Sequence, residues 1–167
     1  MESTNLPLPW GEMQRALTAA FALGGDGIRV ERWGRGRIHA SYRVDAGGGA
    51  YLLQAVNTHV FRDVEALADN IRRVTGHLRA ALDSRGVVDS SRRVLEIVPS
   101  ASGASLWRAP DGSCWRAFRF IADAVAPPVP ATARQIFEAA RCFGRFLRDM
   151  DDLPAPPLAV TIPAFHD

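Results

Sequence analysis

The sequence predicts an α+β fold in which an antiparallel sheet of about five strands packs against one long crossing helix. Three observations support this prediction: strand-like runs separated by glycine turns, a long amphipathic helix after the third run, and further strand-like runs before a proline-rich stretch. The chain has 167 residues, of which 47% are hydrophobic. This is the size and composition of one domain with a sizeable core.

The N-terminal third predicts one helix and a three-stranded meander. Apolar residues at helical spacing predict a helix over residues 11–23, and Gly24-Gly25 ends it. The predicted strands that follow are residues 28–33, 38–44 and 51–56. The third strand is apolar almost throughout, so it should be central in the sheet. Gly47-Gly48-Gly49 supplies the turn before it.

A long amphipathic helix is predicted over residues 63–84, because apolar residues recur there at alternating steps of three and four. These residues are Val64, Leu67, Ile71, Val74, Leu78 and Leu82. We expect Leu67, Ile71, Val74 and Leu78 to face the sheet. His77 is predicted to lie on the helix surface.

The C-terminal half predicts more strands, a connector and a second helix. Strands are predicted at residues 93–98 and 114–121, with a short one at 105–108. Residues 124–130 contain three prolines, which is typical of a stiff connector. The helix should begin after Thr132, a plausible N-cap. Its apolar stripe consists of Ile136, Ala140, Phe143, Leu147 and Met150.

Charge and cysteine content exclude several classes of function. The 20 basic and 18 acidic residues give a net charge of +2, too even to favour a nucleic-acid surface. Every basic residue is an arginine, so chemistry that requires a lysine ammonium is excluded. Cys114 and Cys142 have neither disulfide nor zinc spacing and predict buried free thiols in a reducing compartment. Residues 16–23 are too short to span a bilayer and lack a basic leader, so we expect a cytoplasmic protein that does not bind membranes.

The sequence Gly34-Arg35-Gly36 allows two interpretations. It can be a surface turn, or a backbone cradle for nucleotide phosphates, because glycine lets amide groups approach a ligand closely. Kinases use G-x-G-x-x-G for this purpose, but the third position here is His39, and the next small residue is Ser41. On its own, the pattern is typical of a turn.

The predicted third strand places neutral Gln54 where a kinase fold has a cation for the α- and β-phosphates. Glu65, early in the long helix, is the acidic candidate that would form an ion pair with such a cation. Arg37 in the glycine loop could supply the missing charge, or it could be a solvated loop side chain.

The order of the predicted elements is that of a kinase small lobe, a hinge and the first helix of a large lobe. In this interpretation residues 1–121 form the N-terminal lobe, 122–130 the hinge or linker, and 131–167 the start of an incomplete C-terminal lobe. The order alone is a weak signal, since many α+β domains share it.

Several motifs together resemble the aminoglycoside phosphotransferase superfamily, from about residue 28 to the end of the chain. The strings Y-x-L-Q-x-x-N at 51–57 and N-I-x-R-V-T at 70–75 are similar to the N-acetylhexosamine 1-kinases and mucin-desulfatase-type phosphotransferases. This subgroup itself has glutamine on the third strand. Its loop reads G-x-G-H-I-N-D-T-Y, so Arg37, His39 and Ala40 depart from it, which affects the expected phosphate contacts.

The resemblance implies an ATP-dependent kinase that transfers a phosphoryl group to a sugar hydroxyl, with an N-acetylhexosamine-like acceptor. It implies that loop residues and the third strand bind the phosphates, and that the hinge lies near adenine. The implied nucleotide-binding residues are Gly34, Gly36, Arg37, Ile38, His39, Ser41, Gln54, Phe120, Ile121 and Ala122.

No residue of this chain matches the catalytic aspartate or the magnesium ligands of the family, which lie in the later, larger lobe. We therefore expect a fragment or a decayed gene product that is inactive alone, with no catalytic residue and no metal ligand of its own. The second helix would be covered by that lobe in the family, so self-association through it is expected. The alternative is a non-catalytic nucleotide-binding or partner-binding remnant of a phosphotransferase.

Overall fold

The computed structural model describes residues 10–24, 27–34, 36–124 and 132–165. Its helices are α1 (Trp10–Ala20), α2 (Val64–Ser84), α3 (Ser90–Arg93) and α4 (Ala133–Met150). Its strands are β1 (Arg29–Arg32), β2 (Ala40–Ala46), β3 (Gly49–Ala55), β4 (Ile97–Val98), β5 (Trp107–Arg108) and β6 (Cys114–Arg119). The chain divides into two compact units.

The first unit comprises Met1–Asp69, Glu96–Phe120 and Ala159–Asp167. It contains a six-stranded sheet in the order β1-β2-β3-β6-β4, with β5 also paired to β6. All strand pairs are antiparallel. The predicted α+β fold with an antiparallel sheet is confirmed, and β3 is central as expected, between β2 and β6.

Apolar side chains on both faces of β6 enter separate hydrophobic clusters, because successive strand residues point to opposite faces. On one face Trp115 joins Val44 and Leu53 beneath the α1 residues Met13 and Leu17. On the other face Cys114 packs with residues of the loop and first turns around α2. That cluster contains Val56, Val64, Ala68, Leu106, Phe61 and Leu67. The expectation that Leu67 packs against the sheet is therefore confirmed.

The second unit comprises Asn70–Leu95 and Ile121–Leu158. It contains the rest of α2, in which Ile71, Val74 and Leu78 are half-buried, and the whole of α4. The predicted N-cap is confirmed, since Thr132 forms a capping box with Gln135. No residue of α4 is buried.

Two segments differ from the predicted elements. The strand predicted at 93–98 is reduced to the two residues of β4, because Val94 N–H closes the α3 turn by donating to the Ser90 carbonyl. The connector and hinge predicted at 122–130 fall mostly on residues 125–131, which lie outside the described residues.

Two side-chain predictions were wrong. His77 does not lie free on the helix surface: its Nε2 is 2.9 Å from the Asp149 carbonyl oxygen and 3.0 Å from an Asp152 carboxylate oxygen. Both cysteines are free thiols, but Cys142 is exposed while Cys114 is buried. The reason is that Cys142 lies on α4, where no apolar side chain is enclosed. None of the described helices is long and apolar enough to cross a membrane.

Candidate functional site

The loop between β1 and β2, residues 34–39, is called the glycine loop here. Gly34 has φ +73°, a conformation that side chains with a Cβ rarely adopt. A Cβ on Gly36 would lie 3.3 Å from the His39 carbonyl oxygen, so the loop backbone passes close to itself. Trp33 N–H donates to the Ser41 carbonyl at 2.9 Å and closes the base of the loop. The backbone of Gly34 thus favours glycine, and a side chain on Gly36 would require a small shift of the loop.

The predicted loop side chains occupy different environments. Arg37 and Ile38 are exposed. His39 is partly buried, with its ring stacked on Phe61 at a centroid distance of 5.3 Å. Its Nδ1 accepts the Asn57 backbone N–H at 3.2 Å, which places the ring proton on Nε2.

Gln54 lies at the centre of a hydrogen-bonded row that crosses three strands. In the strand register it stands opposite Ser41 of β2 and opposite Arg116 of β6. Its Nε2 donates to Ser41 Oγ at 3.0 Å, and its Oε1 accepts from Arg116 Nε at 3.0 Å. The sequence predicted Gln54 and Ser41 as site residues, and the structure brings them together.

Arg116 is a site residue that sequence reasoning missed. Its Nη1 is enclosed by protein and has no hydrogen-bond acceptor among the described residues. Burial lowers the pKa of Arg116 to about 10, so the guanidinium remains charged at neutral pH. An enclosed donor without an acceptor costs about 1–3 kcal/mol, and more for a charged group. The only sequence signal was an arginine between apolar residues in the interior of the strand Cys114–Arg119.

The charge of Arg116 also reaches the glycine loop. Burial is the main cause that lowers the pKa of His39 below its ordinary value of 6.5, and the Arg116 charge lowers it further. His39 is therefore neutral at pH 7. The Arg116 guanidinium, next to the polar side chains of Gln54 and Ser41, therefore provides a positive charge whose chemistry suits an anion.

Glu65 forms an ion pair with Arg108, a cation that the sequence did not indicate. Its carboxylate oxygen Oε1 accepts from Arg108 Nη2 of β5 at 3.0 Å, and both side chains are exposed. Exposed pairs of this kind contribute about 0–1 kcal/mol.

The residues predicted for the hinge are divided between the two units. Phe120 belongs to the first unit, where its N–H donates to the Ala50 carbonyl at 2.9 Å. Its ring meets Trp33 edge-on at 5.0 Å, and the Arg43 guanidinium lies 4.8 Å from the ring centroid. Ile121 and Ala122 belong to the second unit. There the Ala122 carbonyl accepts from Arg92 Nη2 at 2.9 Å.

No group of three or more His, Cys, Asp or Glu side chains among the described residues could hold a metal ion. The chemistry that Ser41, Gln54 and Arg116 offer is anion recognition by amide, hydroxyl and guanidinium donors.

Comparison with known proteins relates the fold to that of a solved phosphotransferase. No protein-family model matches the sequence. The structure is similar to the crystal structure of spectinomycin phosphotransferase APH(9)-Ia in complex with ADP and spectinomycin, with a TM-score of 0.58 and 12% sequence identity. The match covers 90% of this chain and 40% of that one. This chain therefore spans less than half the length of that structure, and its α+β fold is a kinase-like small lobe with the helices that accompany it.

Proposed function

We propose that this chain is the nucleotide-binding N-terminal portion of an ATP-dependent small-molecule kinase. The observation that carries the proposal is the likeness in fold, over 90% of the chain, to a phosphotransferase solved with ADP. The geometry of the first unit supports it. Gly36 keeps the loop backbone free of side-chain atoms, and the row Ser41–Gln54–Arg116 lies on the neighbouring strands.

In this proposal the glycine loop and Gln54 contact the phosphates, and adenine lies near residues 120–122. The acceptor is an N-acetylhexosamine-like sugar, as indicated by the motifs at 51–57 and 70–75. In this proposal the catalytic aspartate and the magnesium ligands belong to the larger lobe of the family. The protein would act in the cytoplasm.

The test measures equilibrium binding of ATP to the wild-type chain and to Gly36→Val. A Cβ at this position would lie 3.3 Å from the His39 carbonyl oxygen, so a valine would force the loop backbone to shift. We expect ATP affinity to fall by about tenfold or more, the loss of one or two backbone contacts to charged oxygens.

The matched control is Gly76→Ala. A Cβ on Gly76 meets nothing within 4 Å, so ATP affinity should stay within about twofold of wild type. Gly48→Ala is unsuitable, because its Cβ would lie 2.8 Å from the Tyr51 hydroxyl. Equal effects of Gly36→Val and Gly76→Ala, with both variants folded, would mean that Gly34-Arg35-Gly36 is only a turn.

A second candidate function is a non-catalytic nucleotide-binding or partner-binding module. It is favoured by the row Ser41–Gln54–Arg116, which offers donors to an anion without requiring a reaction to follow. Reading the gene beyond codon 167 separates the two candidates. An H-G-D-x-x-x-x-N-like string there would support the kinase, whereas its absence in every frame would support the non-catalytic module.

A further inference from the structure

The sheet lacks a cation at the position where a kinase-like fold needs one. Gln54 is neutral, and the chain contains no lysine. The α- and β-phosphates of a nucleotide are negatively charged. A fixed cation next to them would form charge-assisted hydrogen bonds with their oxygens and strengthen nucleotide binding. The candidates are the arginines whose side chains are not already neutralised by a carboxylate.

Four other arginines of the sheet have carboxylate partners. Arg29 Nη2 lies 3.1 Å from Glu31. Arg43 Nη2 lies 2.9 Å from Asp45, and Arg108 Nη2 lies 3.0 Å from Glu65. Arg119 Nε lies 3.8 Å from Glu96. Arg32 of the edge strand β1 lies over the ring of Tyr42, which belongs to the cluster beneath α1. Arg116 differs, because it lies beside Gln54, and the only hydrogen bond it donates to a described residue is from Nε to Gln54. It therefore keeps its full charge and an unused donor on Nη2, while Nη1 is enclosed by protein.

The neighbours of Arg116 hold its guanidinium in one orientation. Gln54 accepts from Nε and is itself fixed by Ser41, and the guanidinium carbon lies 5.4 Å from the centroid of the Phe118 ring. A planar guanidinium fixed at Nε keeps Nη2 in a defined position, and Nη2 can donate to a phosphate oxygen, whereas Nη1 is enclosed by protein. Arg116 is half-buried, so part of its side chain is still accessible to a ligand.

We propose that Arg116 binds the α- and β-phosphates of the nucleotide from β6, in place of a third-strand cation, with Gln54 and Ser41 as its positioning residues. This inference rests on the proposed nucleotide-binding function. It differs from the sequence-based hypothesis, which placed the charge on Arg37. Arg37 is exposed and would lose more side-chain entropy on binding a phosphate than a guanidinium that is already held.

The experiment compares ATP and adenosine binding in three variants of the full chain: Arg116→Gln, Arg37→Gln and Arg108→Gln. Arg116→Gln should weaken ATP binding about tenfold to a hundredfold, the usual loss for a hydrogen bond to a charged group. It should leave adenosine binding unchanged, because adenosine has no phosphate. Arg108→Gln is the matched control, since it removes an arginine from the neighbouring strand, and it should bind ATP as wild type does.

Three other results of this binding experiment would contradict the proposal, and each identifies which part of it is wrong. If Arg116→Gln binds ATP normally while Gly36→Val does not, the role of Arg116 is overturned and the nucleotide-binding function stands. If only Arg37→Gln loses affinity, the loop arginine is the cation. If the wild-type chain binds no ATP at millimolar concentration, both proposals fail.

A second measurement does not depend on whether Arg116→Gln folds. His39 in the Arg37→Gln chain is titrated by NMR with and without saturating ATP. The Arg116 charge contributes to the low pKa of His39, so a phosphate bound to Arg116 should raise that pKa. Removing Arg37 ensures that the loop arginine does not cause the rise. An unchanged His39 pKa at saturation would contradict the proposal.

Discussion

The sheet of the first unit and helix α4 of the second differ in how they bury their apolar residues. Trp115 of β6 is 0% exposed, whereas Phe137 and Phe143 of α4 are 64% and 62% exposed. Both elements have strong sequence signals, an apolar strand in one case and a capped amphipathic helix in the other. The difference shows that a regular apolar pattern and an N-cap are enough to define a helix. They do not supply the neighbouring element against which its apolar side chains would be buried.

The physical reason lies in what each element packs against. β6 is paired on both edges and covered on both faces, so its side chains enter two clusters. The C-terminal end of α4 is attached largely by polar contacts. Asp149 accepts from Arg85 at 2.8 Å and from Arg148 at 2.8 Å, and these hydrogen bonds hold the pKa of Asp149 well below its usual range.

The largest expected effect is on the free energy of unfolding and concerns the buried residues of β6. Trp115→Ala removes a fully enclosed ring and should lower the free energy of unfolding by about 3–5 kcal/mol. Phe137→Ala on α4 should change it by no more than about 0.5 kcal/mol, because exposed residues contribute little. Urea unfolding followed by far-UV circular dichroism measures both. Similar losses in the two variants would mean that α4 is covered as thoroughly as β6.

A smaller effect is expected on association. The exposed stripe of α4 should bring copies of the chain together, because apolar surface leaves water when two such helices meet. Phe143→Gln with Leu147→Gln keeps good helix propensity and removes two exposed side chains. We expect at least about tenfold weaker self-association in sedimentation velocity, given about 1.5–3 kcal/mol for each large side chain that becomes fully buried.

The control for this prediction is Val88→Ser, which removes an exposed apolar residue outside α4 and should leave association unchanged. A wild-type chain that stays monomeric at high concentration, with α4 amides protected from hydrogen exchange, would contradict the prediction.

The smallest expected effect concerns the helix cap. Thr132→Ala removes the hydroxyl that accepts from Gln135 N–H at 3.2 Å and should destabilise α4 by about 1 kcal/mol. Because no residue of α4 is buried, hydrogen exchange should accelerate in its first turns and stay unchanged in β3 and β6. Faster exchange throughout the sheet would show that the two regions are energetically coupled.

Local sequence signals were sufficient to predict most helices and strands, but they predicted only part of the candidate site. The glycine spacing, the period of α2 and the Thr132 cap each act over a few residues, so they could be recognised directly. The strand predicted at 93–98 was too long. The Val94 N–H donates to the Ser90 carbonyl in a turn and is therefore not available for pairing between strands. Arg116 was missed because its partner Gln54 is 62 residues away along the chain.

The sequence by itself determined the α+β class, the order of the elements, the glycine loop and the absence of lysine. Only the tertiary structure decided which side chains meet. The antiparallel register of β2, β3 and β6 places Ser41, Gln54 and Arg116 in one row, and no local period encodes that register. Packing then encloses Arg116 Nη1 without an acceptor and leaves α4 uncovered. Whether a side chain is buried depends on which residues pack against it in the folded chain. The apolar period of a helix or strand depends only on residues close to it in sequence.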